Sequence, residues 1–349
     1  MSKTEADIIV VGGGPAGSYI ASLLQDKFKV IVLESKKTAG GKACSGLVSK
    51  DIRNYIPVDG LVENEINNCT LYSPFGKKHN LVIKQGTYAL DRDKLDSFLA
   101  SKVNNIFFNN KVEKIQVEKE KVKIKTNKQA FQAQLVIGAD GNNSVVRRAW
   151  DVKPIDSVLG LMTMVEEKDP SGFFEVWFDS EKVKDGFLWR IPRGKRVEYG
   201  ILGTGVKFEL MEDFFKIKDK KCSCERRASP IPTGFHKTYF DRTILVGDAA
   251  AQTKPWSFGG IYYGMVCGKI GAKVIKKAFD KNNFSENILK EYEIKWKGQL
   301  AGSISTGMMF REFYKGLDNK KIDQVFDSVK RAGLKEIDMD HPLINLFGK

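Results

Sequence analysis

The residues of this chain best suited to chemistry are glycines and acids that follow apolar runs. IIVV breaks into Gly12-x-Gly14-x-x-Gly17 and continues as SYIASLLQDKF, so the glycines, with Pro15 and Ala16 between them, open a helix. The backbone N–H groups and positive dipole of such a helix start suit a pyrophosphate. Gly12 makes the tight turn, Gly14 lets a diphosphate approach the backbone, and Gly17 lets the helix pack closely on its strand. A second apolar run, VIVLE, ends on Glu34, where an acid accepts hydrogen bonds from an adenosine ribose. Strand, glycines, helix, strand and acid in this order read as a dinucleotide site.

Two more acids stand in similar places. QLVIG leads into Ala139-Asp140-Gly141, with Asn142 to Ser144 as caps of a helix start. TILV leads into Gly247-Asp248-Ala249-Ala250, and after Pro255 the pair Gly259-Gly260 stands at the mouth of a long helix beginning near Ile261. Such an acid can bind a polyol hydroxyl, and a Gly-Gly helix start can face an electron-rich ring edge. Cys44 lies in the loop SKKTAGGKACSGLVSKDI after the second strand, beside the ligand crevice of an open α/β sheet. It is a candidate for the reactive edge of that crevice or a bystander thiol. Asp91 reads as the N-cap of a helix over LDRDKLDSFLASKV, which puts Arg92 in the first turn, against the dipole. That position suits an anion; a solvated side chain is the alternative. Cys222-x-Cys224 is too short for the CxxC redox spacing and reads as structural. His79, His236 and His341 are the only histidines, and without zinc-type spacing no metal site is expected.

These groups need strands and helices to carry them. NCTLYSP, HNLVIK and TYAL read as short strands separated by Pro74, Gly76 and Gly86, hairpins of a second layer. IFFNNKVEKIQVE and KVKIKTN alternate charged and aliphatic residues, as in a half-exposed antiparallel sheet, before the run ending at Gly138 returns the chain to the first sheet. From about 155 to 240 the chain is strand-rich and carries Met162, Met164, Phe173, Phe174, Trp177, Phe178, Phe187 and Trp189. Alternate members would line one face of a curved sheet, as the wall of an apolar cavity or as plain core. The C-terminal stretch has helical periodicity with mixed charge and reads as a helical cap.

The expected fold class is α/β. A discontinuous Rossmann-type domain comprises 1–54, 87–154 and 240–280, an inserted antiparallel-sheet substrate domain 55–86 and 155–239, and a helical region 281–349. The length of 349 residues allows about two domains. No apolar run is long enough to span a membrane and MSKTEAD has no signal pattern, so a cytoplasmic protein is expected. Five scattered cysteines suit reduced thiols. The net charge of +14 can attract nucleic acid, an anionic membrane surface or an acidic partner. With lysines spread along the chain and no nucleic-acid module, a membrane surface or an acidic electron carrier is favoured over DNA or RNA.

Together, GGGPAG with Glu34, GADG and GDAA resemble the FAD-binding pattern of the p-hydroxybenzoate hydroxylase superfamily. A nicotinamide Rossmann domain would need only the first. From about residue 6 to 300 the chain is similar to the geranylgeranyl reductase family of that superfamily. GGKACSGLVSK resembles its cysteine loop, with Ser45 where a glycine is usual. GFLWRIPRG resembles its YxWxFP signature, with Phe187 for Tyr and Ile191 for Phe, and Gly200-Ile-Leu-Gly203 approximates the GxG that follows.

The resemblance implies FAD contacts at Ala16, Glu34, Cys44, Ser45, Arg92, Val112, Asp248, Gly260 and Ile261, and the cofactor set also takes in Pro15, Ser35 and Gly46. It implies a substrate tunnel at the sheet that carries Trp189, with Phe187, Pro192, Trp256 and Tyr262 as further candidate contacts. The implied activity is saturation of isolated C=C bonds in the geranylgeranyl chains of archaeal-type isoprenoid lipids. The implied partners are that lipid, an electron donor (ferredoxin or reduced nicotinamide) and an anionic membrane surface met peripherally. An isolated C=C has no carbonyl to polarise it, so hydride must be matched by a proton in or near the same transition state. Cys44 is the candidate for shaping or protonating that site, with the cofactor itself or a water as alternatives. WRIP also matches part of the halogenase WxWxIP signature, so a monooxygenase or halogenase is one rival reading, and a flavin-free isoprenoid carrier is another.

Overall fold

The computed structural model of the chain describes residues 4–153, 156–218 and 226–341. Cys222 and Cys224 lie outside the described residues. A six-stranded sheet runs in the order Tyr239–Phe240, Thr243–Leu245, Leu135–Gly138, Ile8–Val11, Val30–Leu33 and Ile106–Phe107, parallel throughout except for its first pair. IIVV, VIVL and LVIG are fully buried, which is why they read as continuous aliphatic runs rather than alternating ones. Val11 pairs with Gly138 and Gly138 with Leu245, so three adjacent strands bring the glycine turn, Asp140 and Asp248 to one edge.

Helix Pro15–Leu24 starts at Gly14, with Pro15 where a missing N–H does no harm. It packs on helix Ile261–Asp280, whose Gly264, Gly268 and Gly271 lie against Ala16, Tyr19 and Ile20. Tyr292, Trp296, Leu300 and Ile304 of helix Glu286–Lys315 close this core from outside. Helix Asn319–Arg331 follows. Among the described residues no helix is long and apolar enough to cross a membrane.

The second layer is a nine-stranded sheet made of Leu47–Ser49, Val62–Tyr72, Lys78–Leu90, Ser157–Val165, Phe173–Trp177, Lys184–Pro192, Val197–Thr204, Arg227–Pro232 and Glu336–Ile337. Here the structure departs from the sequence reading in three places. HNLVIK and TYAL are one strand, because Gly86, at φ +64°, makes a bulge against Asn67 instead of a turn. That strand runs through the domain boundary expected between 86 and 87. IFFNNKVEKIQVE is two strands, because Asn109, at φ 55°, turns the chain. Ile106–Phe107 edges the parallel sheet, while Val112–Val117 enters a separate four-stranded sheet with Val122–Thr126, Ala130–Ala133 and Thr4–Glu5. Finally, Glu336–Ile337, in the stretch expected to be helical, adds in parallel to Val82 and Ile83.

Candidate functional site

A cavity of about 940 Å³ lies between the carboxyl edge of the parallel sheet and one face of the nine-stranded sheet. Its polar end is built from the three motifs. Gly12 has φ +100°, and a Cβ there would strike the Ala139 carbonyl; a Cβ on Gly17 would strike the Gly12 carbonyl. Only glycine at both positions lets the helix begin this close to its strand. Gly14 faces open space, so its backbone stays accessible. Glu34 accepts hydrogen bonds within the chain: Oε2 from the Gly13 N–H at 2.8 Å and Oε1 from the Lys36 N–H at 2.8 Å. It therefore ties the glycine turn to the second strand through Gly13, a residue the sequence reading passed over.

Asp140 Oδ2 accepts from Val145 N–H at 2.6 Å and holds the helix start that follows. Burial raises the Asp140 pKa. Its Oδ1, like Asn142 Oδ1, is a buried acceptor without a hydrogen-bond partner among the described residues. The Asp248 turn is held from behind. Gln252 accepts from Gly247 N–H and donates to the Tyr292 hydroxyl, which donates to the Leu245 carbonyl, each at 2.8 Å. Asp248 accepts from Lys42 Nζ, reaching across from the cysteine loop, and Gly260 leaves the room that Asp248 Oδ1 occupies. Arg92 is buried and donates from Nη2 to both oxygens of Asp96 at 2.8 and 2.9 Å, so part of the expected anion is a carboxylate of its own helix. Burial works against its charge, but Cys44 and Asp96 outweigh that and raise its pKa. Cys44 is half-buried, lines the cavity and interacts with this guanidinium.

These residues fit a flavin dinucleotide. The glycine cradle is open at Gly14 where a diphosphate would lie, and the two unpartnered acceptors, Asp140 Oδ1 and Asn142 Oδ1, suit hydroxyl donors. All the cofactor residues expected from the sequence line the cavity except Gly17, which packs on Gly12, and Gly46, which packs on the Leu90 carbonyl and the Arg92 stem.

The other end is apolar. Phe174 and Val176, and Phe187, Trp189 and Ile191, face the cavity by strand alternation, while Trp177 points to the opposite face and stacks on Tyr72 at 4.8 Å. The aromatic stripe is thus divided between wall and core. Trp256 and Tyr262 also line the cavity. Pro192 does not: it follows Ile191 and so faces away, and its carbonyl accepts from Asn64. The Trp189 ring lies over Gly200, its cross-strand partner, where any Cβ would fall within the ring. Trp189 Nε1 donates to Glu198 Oε1 at 2.8 Å. Arg193, 1% exposed, donates to Glu198 Oε2 at 2.8 Å, the Ser45 carbonyl at 2.6 Å, the Leu90 carbonyl at 2.5 Å and Glu63 Oε2 at 2.5 Å. This network fastens the cysteine loop to the strand of Trp189. The sequence carried no signal for it, since a buried Arg or Glu is written like a solvated one.

The NAD(P)-binding Rossmann-like domain family matches residues 10–59, the first motif and its surroundings. Over nearly its whole length the chain is homologous to a protein of Methanocaldococcus jannaschii named digeranylgeranylglycerophospholipid reductase, with 28% identity across 93% of this chain and 90% of the relative. Among solved structures, a geranylgeranyl bacteriochlorophyll reductase-like protein from Thermoplasma acidophilum matches with a TM-score of 0.85 and 24% identity, covering 93% of this chain and 91% of that one. A halogenase solved in complex with FAD matches with a TM-score of 0.70 and 14% identity, covering 94% of this chain and 84% of that one. The fold is that of FAD-dependent oxidoreductases.

Proposed function

We propose that this chain, a homologue of proteins named digeranylgeranylglycerophospholipid reductase, is an FAD-dependent reductase that saturates isolated C=C bonds in the geranylgeranyl chains of isoprenoid lipids. The observation that carries this reading is that one cavity joins a polar end fitting a flavin dinucleotide to an apolar end walled by Phe174, Val176, Phe187, Trp189 and Ile191. The chemistry supplied by a bound, reduced flavin is hydride donation to an alkene carbon. This chain's residues bind and orient: the glycine turn, Glu34, Asp140 and Asp248 would hold the cofactor, and Trp189, fixed by Glu198, would offer a flat apolar ring to the lipid. The apolar walls exclude water. Cys44 Sγ carries a proton into this setting without the desolvation cost of a carboxylate.

The lipid is reached from the membrane surface. Met309, Phe310 and Phe313, 72%, 41% and 56% exposed, project from the last turns of helix Glu286–Lys315. Phe310 also lines the cavity, so the exposed patch borders its apolar end. With the +14 charge, this supports peripheral contact with an anionic membrane surface, and the same charge suits an acidic electron carrier such as a ferredoxin, with reduced nicotinamide as the alternative donor. The test is anaerobic incubation of dithionite-reduced protein with geranylgeranyl lipids, followed by mass spectrometry. Mass gains in steps of two hydrogens are expected. Unreduced lipid, with turnover only in oxygen, would favour the monooxygenase or halogenase reading.

A further inference from the structure

The end of the described chain builds a wall of the cavity. After Gly333 the chain runs back along the large sheet: Val82 N–H donates to the Lys335 carbonyl at 2.9 Å, and Glu336 and Ile337 pair in parallel with Val82 and Ile83. Ile337 and Met339 both line the cavity, and Met339 belongs to the same buried cluster as Leu81, Phe174 and Val176. The segment is fastened beyond its strand. The Tyr263 hydroxyl donates to the Asp340 carbonyl at 2.8 Å, and Ser49 Oγ donates to Asp340 Oδ2 at 2.5 Å. Asp340 also forms a fully buried ion pair with Lys254, whose Nζ donates to the Met339 carbonyl at 3.0 Å.

A buried pair of this kind adds little net stability, because desolvation offsets the attraction, but it fixes position. Slipping the segment by one residue would bury two unpartnered charges. The backbone on either side of Met339 is therefore held, and the room left beside it depends on the size of its side chain.

We propose that the strap 334–341 limits the length of isoprenoid chain the cavity admits, and that Met339 is the residue that sets the limit. The proposal rests on the lipid reading above. An apolar pocket discriminates by volume, and one methylene is felt because the surrounding walls do not collapse onto the space. Ile337 shares the wall but sits in a β-pair, whereas Met339 lies beyond it, next to the Lys254 anchor.

The test uses FAD-loaded protein and a fluorescent polyene chain displaced by geraniol, farnesol, geranylgeraniol or geranylfarnesol, so that the readout is binding and not turnover. Met339→Ala should move the preference toward longer chains by roughly 10-fold in the ratio of dissociation constants, and Met339→Trp should move it about as far toward shorter ones. Opposite shifts from two substitutions at one position do not arise from general loss of folding. If wild type binds the series and neither variant changes its order, the inference about Met339 is overturned and the lipid reading stands. If wild type binds none of the chains, the lipid reading fails and this inference fails with it.

Discussion

Gly200 faces the Trp189 ring across two paired strands, and Gly200→Ala would place a methyl group inside the volume of that ring. Two responses are open. The strand Val197–Thr204 could move, but it is buried over most of its length and paired on both sides, with Ser157–Val165 and Lys184–Pro192, so overpacking there costs about 1–3 kcal/mol. Alternatively the ring could swing into the cavity, which breaks the bond from Trp189 Nε1 to Glu198 and costs about 1.5–3 kcal/mol for a hydrogen bond to a charged group. These responses relieve one another and do not add, so a loss of about 2–3 kcal/mol is expected. The assay is urea unfolding together with binding of a fluorescent polyene chain. The variant should unfold at lower urea, bind the chain more weakly and still take up FAD, because Gly200 does not line the cofactor end. Repeating the substitution in a Trp189→Ala background should remove most of the cost, which isolates the contact. Equal stability and equal chain binding in Gly200→Ala would refute the placement of the ring.

Replacing Glu34 by Ala should weaken FAD binding by roughly 1–3 kcal/mol, measured by titration, since it removes the partner of Gly13 and, in the proposed function, a ribose acceptor; Asp248→Ala should do the same at the other end of the proposed cofactor site. Cys44→Ser should keep FAD and its reduction by dithionite while losing lipid reduction by about 10²-fold, the scale of a positioned acid; unchanged turnover removes Cys44 from the mechanism. His236 donates Nδ1–H to the Lys237 carbonyl at 2.8 Å, and burial lowers its pKa. The unfolded chain then takes up a proton that the folded chain refuses, so this contribution is whole above about pH 6.5 and is lost as pH falls through the folded value; urea midpoints should drop in that window, less so in His236→Asn. Binding to anionic liposomes should weaken with salt, since screening at 0.15 M reaches about 8 Å, and retain a salt-insensitive part that Met309→Ser and Phe313→Ser abolish.

The parts of the site written into short stretches of sequence were legible. Gly12 makes the turn and Gly17 the close approach that their spacing implies, because both are local demands on the backbone. Asp91 caps its helix as read, accepting from Asp93 and Lys94 N–H groups. What sequence could not separate was one meaning of a residue from another. Gly86 makes a bulge where a turn was expected, and Trp177 and Trp189 look alike although only the second faces the cavity. Pro192 ends the WRIP signature, but its parity on the strand turns it away from the cavity. The Arg193–Glu198 and Lys254–Asp340 pairs join residues whose meeting depends on the whole fold, and neither partner's surroundings announce its burial.

In the proposed reaction a flavin held at the polar end of the cavity reduces a chain held at the apolar end. Its most direct test is an anaerobic cuvette containing FAD-loaded protein bleached with dithionite, to which geranylgeranyl lipid is added. The expected result is return of the oxidised flavin absorbance without oxygen, in proportion to the double bonds saturated. Absorbance that stays bleached with lipid and returns only on admitting oxygen would contradict it.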